Sequence, residues 1–118
     1  MDKFKDCTTN VPADTYEIDL GNTKATAHTL TLMDRAEIES HTIKWISDPV
    51  TRTPSPVPTG ASMLILWTVF KALDSWSLDC DITIENVSNN ASLAGKLYSV
   101  IQAHEDSIAE AMQSNEKN

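Results

Sequence analysis

From Ala61 to Leu73 the chain runs ASMLILWTVFKAL, apolar on nearly every face and interrupted only by Ser62, Thr68 and Lys71. A helix of this kind must be surrounded. At 1.5 Å per residue its apolar stretch reaches roughly 20 Å, short of the roughly 30 Å hydrocarbon core of a bilayer. The surround is therefore protein, either this fold's own core or a partner subunit. With 118 residues the chain has room for one domain, expected to span residues 1–118, and for a modest core.

Upstream, Tyr16, Ile18 and Leu20 alternate with Glu17 and Asp19, the period-2 pattern of a half-buried strand. Gly21-Asn22 offers a tight turn, and the threonine-rich Thr23 to Leu30 favours extended backbone, so a β-hairpin is expected. Thr31 has the character of an N-cap whose hydroxyl accepts from the Asp34 amide, predicting a helix from about Leu32 to Ile46. Asp48-Pro49 ends it, because proline disfavours helix in the residue before it. Residues 48–60, DPVTRTPSPVPTG, hold four of the five prolines and predict a semi-rigid extended loop.

After the apolar helix, a short polar link carries Trp76 and Leu78, and Thr83 caps a helix of a turn or two. Leu93, Leu97, Val100, Ile101, His104, Ile108, Ala111 and Met112 then recur at three- and four-residue steps, predicting a final helix followed by a polar, frayed tail over 113–118. The expected class is α+β, mainly α: an N-terminal β-hairpin followed by three or four packed helices.

Seventeen Asp and Glu against nine Lys and Arg give a net charge of −8, the wrong sign for neutralising phosphate. No nucleic-acid or membrane partner is expected. The imbalance is uneven, since the segment from Asp74 onward carries −6 of it. Cys7 and Cys80 are far apart and form no metal-type cluster, which favours free thiols. The N-terminal MDKFKDCTTNVP lacks the apolar run of a signal peptide, so use in the cytosol is expected.

No catalytic constellation stands out. His28 falls on a strand, His41 on the first helix and His104 within the last helix's apolar stripe, three separate places. Asp79-Cys80-Asp81 lacks the glycine turn and the oxygen ligands that a hard cation needs. Three glycines scattered over the chain cannot build a phosphate loop. The residues therefore point away from an enzyme and give no catalytic, cofactor or metal site. Trp45, Trp67 and Trp76 are either core anchors or interface residues.

Leu30-Thr31-Leu32-Met33-Asp34-Arg35, the central apolar helix, Trp76-Ser77-Leu78 and Thr83-Ile84-Glu85-Asn86 follow one another in an order that resembles the tail assembly chaperones of long-tailed, siphovirus-type bacteriophages. The resemblance covers roughly Ala25 to Ile108 and rests on a capped Leu-Thr-Leu-x-Asp-Arg helix start and a later Trp-x-Leu and Thr-x-Glu-Asn. It implies a non-enzymatic protein of the host cytoplasm that binds the tape measure protein, with tail tube subunits as a further partner, and that is absent from the mature virion. On that reading Trp45, Ile46, Trp76 and Leu78 are the candidate partner-binding residues, and the acidic C-terminal segment supplies solubility or steering. The alternative is a structural tail or head-tail connector protein that homo-oligomerises into a ring. An acidic mimic of nucleic acid ranks lower, because apolar stripes interrupt its carboxylates.

Overall fold

The computed structural model describes residues 15–117, with side chains as far as Ala111; Cys7 lies outside this range. Strands β1 (Thr15–Asp19) and β2 (Lys24–His28) form the expected antiparallel hairpin, Ile18 opposite Ala25 and Tyr16 opposite Ala27. Gly21, at φ 90°, takes the positive-φ position that a two-residue hairpin loop requires, and its N–H donates to Asp19 Oδ1 at 2.8 Å.

Helix α1 (Leu32–Thr42) starts as its sequence dictates. The Thr31 hydroxyl accepts from the Asp34 amide at 3.1 Å, and Asp34 Oδ2 accepts from the Thr31 amide at 3.0 Å, a closed capping box. It does not run to Ile46. The Thr42 hydroxyl donates back to the Ile38 carbonyl at 2.8 Å, and β-branched Ile43 turns extended at φ −127°. From there β3 (Ile43–Ser47) pairs antiparallel with β4 (Pro54–Pro58), so the segment expected as an extended loop supplies the turn of a hairpin, residues 48–53, and then its second strand.

Helix α2 (Ala61–Ala72) hands over directly to β5 (Leu73–Trp76), which pairs with β2 and completes a three-stranded sheet in the order β1-β2-β5. A bulge at Asp74 shifts the register, with Thr26 opposite Ser75 and Ala27 opposite Leu73. Helix α3 (Ile84–Asn89) is capped by the Thr83 hydroxyl, which accepts from the Asn86 amide at 3.0 Å. Helix α4 (Ala91–Lys117) carries its helical backbone into the segment expected to fray, as far as Lys117, about 40 Å in all. Its 27 residues exceed the other helices by a wide margin. Among the described residues the fold is thus α+β, a β-hairpin followed by helices, as the periodicities imply.

The core lies between the three-stranded sheet and α2, α3 and α4, with Ile18, Ala25, Ala27, Val69, Ala72, Val87, Leu97 and Ile101 buried. The small residues of β2 have a packing role: two alanines on the central strand let the helices approach closely, and Val69, Leu97 and Ile101 fill the space. Each such large aliphatic contributes about 1.5–3 kcal/mol by leaving water. α2 is covered only over its second half, where Thr68, Val69 and Ala72 are buried, whereas Ala61 to Leu64 stay exposed.

Candidate functional site

Two places in the fold bring polar or apolar groups together in a way that asks for an explanation. The first lies where β1 and β2 meet α1 and α4. Glu105, only 6% exposed, accepts from the Leu30 amide at 3.0 Å and pairs with Arg35. His104 stacks on Tyr16 at 3.8 Å between centroids and shares a 2.9 Å hydrogen bond with the Thr29 hydroxyl. Burial and, secondarily, the charge of Glu105 push the Tyr16 hydroxyl up to about 12.

Nearby, His28 is held from both sides. Its Nδ1 meets Asp74 Oδ1 at 2.8 Å and its Nε2 meets Asp34 Oδ2 at 2.9 Å. Burial works against the imidazolium, but the hydrogen bonds and charges of the two carboxylates outweigh it and hold His28 above the ordinary histidine value. Burial likewise works against the Asp34 carboxylate, and the Thr31 amide and His28 outweigh it, leaving Asp34 below its ordinary value. The bulged Asp74, the capping Asp34 and the strand-end His28 thus tie β5, α1 and β2 together. The arrangement is a structural clamp. Among the described residues no group of three or more His, Cys, Asp or Glu could hold a metal.

The second place is the β3–β4 arm, where every residue beyond Ile43 in β3 and all of β4 are exposed. Thr59 N–H donates to the Thr42 carbonyl at 2.9 Å and Asp48 N–H to that of Thr53 at 3.1 Å. Antiparallel ladders alternate, so Lys44 with Val57 and Ile46 with Ser55 are the bonded pairs between them. Pro54, Pro56 and Pro58 therefore occupy the positions whose nitrogen faces away from β3, where a missing N–H costs no ladder bond. That placement is why a proline-rich segment can be a strand here.

The same register sets Ile43, Trp45 and Ser47 on one face with the three prolines, Trp45 directly opposite Pro56. Trp45 is 65% exposed on this rigid platform. At the arm's base Ile43 and Pro58 also line an open cavity of about 490 Å³, together with Ile38, Leu64, Thr68, Arg35 and Glu39. The other face carries Lys44, Ile46 and Val57, and the tip carries Val50, 87% exposed. Two backbone N–H groups, of Val50 and Thr51, donate to Asp48 and hold its carboxyl below the usual range, fixing the loop in which Arg52 adopts φ 59°. Lys44 and Arg52 against Asp48 make the arm basic in a chain of net charge −8.

Of the four residues singled out from sequence, Trp45 and Ile46 stand on the arm, on opposite faces of a strand rather than at a helix end. Trp76 and Leu78 do not join them. Trp76 is half-buried at the end of β5, packed against the core, with its indole N–H donating to the Cys80 carbonyl at 2.7 Å, and Leu78 is half-buried. The Cys80 thiol is exposed and free. Sequence reasoning missed Ile43, Pro58 and Leu64 as lining of the cavity and the prolines as platform. The signal was the period-2 spacing of Pro54, Pro56 and Pro58, which matches an edge strand.

No protein-family model matches the chain, and neither does a curated protein or a solved structure. Among the described residues, no helix is long and apolar enough to cross a membrane.

Proposed function

We propose that the chain is a phage tail assembly chaperone that binds the tape measure protein, and tail tube subunits as a second client, and keeps them dispersed before the tube polymerises. The observation that carries this reading is the Trp45–proline platform running into the cavity lined by Ile38, Ile43, Pro58 and Leu64. A rigid, exposed apolar platform beside a concavity suits the apolar stripe of a helix, with anchor side chains entering the cavity. The acidic remainder of the molecule then keeps the complex soluble.

The residues that resemble the phage family support the reading at a different level. Thr31 and Asp34 close the α1 capping box, Arg35 pairs with Glu105, and Thr83 caps α3. They build the body that carries the arm. In this role the protein acts without catalysis, in the host cytoplasm, and leaves before the virion matures.

Co-expression with an apolar helical fragment of the tape measure protein from the same genome tests it. The wild type is expected to hold the fragment in the soluble fraction, and Trp45→Ser with Leu64→Ser to lose it while the variant itself stays folded. A fragment that remains insoluble beside the wild type overturns the reading. So does a gene neighbourhood without tail tube and tape measure genes.

A further inference from the structure

The two sheets together have four outer edges, and they differ in chemistry. β4 is sealed by prolines at each of its three outward-facing positions. β5 is four residues long, broken by the bulge at Asp74. Short, bulged and proline-bearing strands are how sheets avoid pairing with other chains.

The other two edges carry none of these devices. In β3 the backbone groups of Trp45 and Ser47 face away from β4, and among the described residues no strand takes them. In β1 the Leu20 amide donates to the Thr23 carbonyl at 2.9 Å, so alternation turns the backbone groups of Thr15, Glu17 and Asp19 away from β2, and among the described residues no strand takes them either. Both open strands are five residues long. They are complementary in charge: β3 carries Lys44 and no acid, β1 carries Glu17 and Asp19 and no base.

We propose that the open edge of β3 pairs in parallel with the open edge of β1 in a second copy of this chain, joining copies head to tail. Side-chain parity selects the parallel direction. In an antiparallel ladder two outward-facing residues stand directly opposite, which would set Trp45 beside Glu17 and Lys44 beside Tyr16 or Ile18. A parallel ladder shifts the match by one residue. Lys44 then stands beside Glu17 or Asp19 on the wet face, and Ile43 and Trp45 stand beside Tyr16, Ile18 and Leu20, of which Tyr16 and Leu20 are only half-buried. Charge and apolar surface are matched together in that direction alone. Because the two edges are different surfaces, the contact is heterologous and each copy keeps one free edge of each kind for the next. The association does not depend on the tape measure reading, since it needs no client.

Sedimentation of the isolated full chain over a concentration series tests this. The wild type is expected to show a weight-average mass above the 13.0 kDa monomer, rising with concentration. Ser47→Pro removes one outward-facing N–H by the device β4 already uses, and is expected to weaken association roughly tenfold with the circular dichroism unchanged. Lys44→Glu and Glu17→Lys, each at an exposed position, are each expected to weaken it alone and to restore it when the two variants are mixed. A wild type that stays at 13.0 kDa up to its solubility limit overturns the proposal. So does loss of association in both charge variants without rescue in the mixture, which would assign β3 a different occupant. If Ser47→Pro fails to fold, the charge-variant mixture decides alone. Ser47→Pro that has lost self-association and still keeps the tape measure fragment soluble separates this contact from the client face.

Discussion

The molecule contains two β-hairpins of similar size that solve opposite problems. β1–β2 is built from alternating residues with Ile18, Ala25 and Ala27 turned into a helical layer, and β5 extends it. β3–β4 turns a tryptophan, two aliphatics and three prolines toward solvent, with no layer on either face among the described residues. A two-stranded hairpin alone is marginal in water. Here the prolines limit the freedom of the unfolded chain, the Asp48 turn fixes the loop, and the ladder is anchored at Thr42 and Thr59. The radius of gyration of 17.2 Å, against about 13 Å for a compact chain of this size, fits an arm and a long α4 reaching out from the body. The contrast teaches that the first hairpin is held by burial and the second by local geometry, so the two should respond differently to substitution.

The largest expected effect is in the body. Leu97→Ala empties a fully buried site on α4 and is expected to cost about 3 kcal/mol of unfolding free energy in a urea titration. A cost below about 1 kcal/mol would show that the core is not where the burial places it.

Next in size, Glu105→Ala leaves the Leu30 amide without its acceptor and Arg35 without its partner. About 2 kcal/mol of destabilisation is expected. Glu105→Gln should retain part of it, since the amide oxygen can still accept from Leu30.

The His28 clamp gives a smaller, pH-dependent effect. His28 is raised above 6.5 in the folded protein, so its stabilisation is complete below 6.5 and is lost as pH rises through the folded value. Asp34 is lowered from 3.8, so its contribution is present above 3.8 and is lost as pH falls through its folded value. The clamp is therefore strongest between those limits. His28→Gln should lower the melting temperature more at about pH 5 than at about pH 8. An equal loss at both would remove His28 from the pH dependence.

Smallest of all, Trp45→Ser on the arm is expected to change unfolding free energy by less than about 0.5 kcal/mol, because its ring is already largely in water. A loss comparable to that of Leu97→Ala would break the comparison and place Trp45 in the core.

Much of the body is legible in the sequence because its signals are local. The alternation of Tyr16, Ile18 and Leu20, the turn at Gly21-Asn22, the Thr31 and Thr83 caps and the stripe of the last helix each lie within a few residues of the structure they specify. β5 is not legible: LDSW is too short to alternate, and its pairing to β2 reaches back some fifty residues. The end of α1 is misread for a related reason. Trp45 and Ile46 continue an apolar stripe that a helix could use, and only pairing with a proline-bearing strand diverts them.

The candidate site divides in the same way. Trp45 and Ile46 stand out as residues too large and apolar to ignore, but the cavity beside them needs Ile38, Ile43, Pro58 and Leu64 brought together from four elements. Trp76 looks equivalent to Trp45 in sequence and is not, because the β2–β5 pairing draws it against the core.

The sequence by itself determined that the chain folds as α+β with a capped first helix, an N-terminal hairpin and an acidic surface, since periodicity, capping and charge act over a few residues. Only the tertiary structure decided which apolar residues are core and which are surface, and which sheet edges are sealed. Those outcomes depend on pairings between distant segments, and the parity of an antiparallel ladder then fixes where every side chain and every N–H must face.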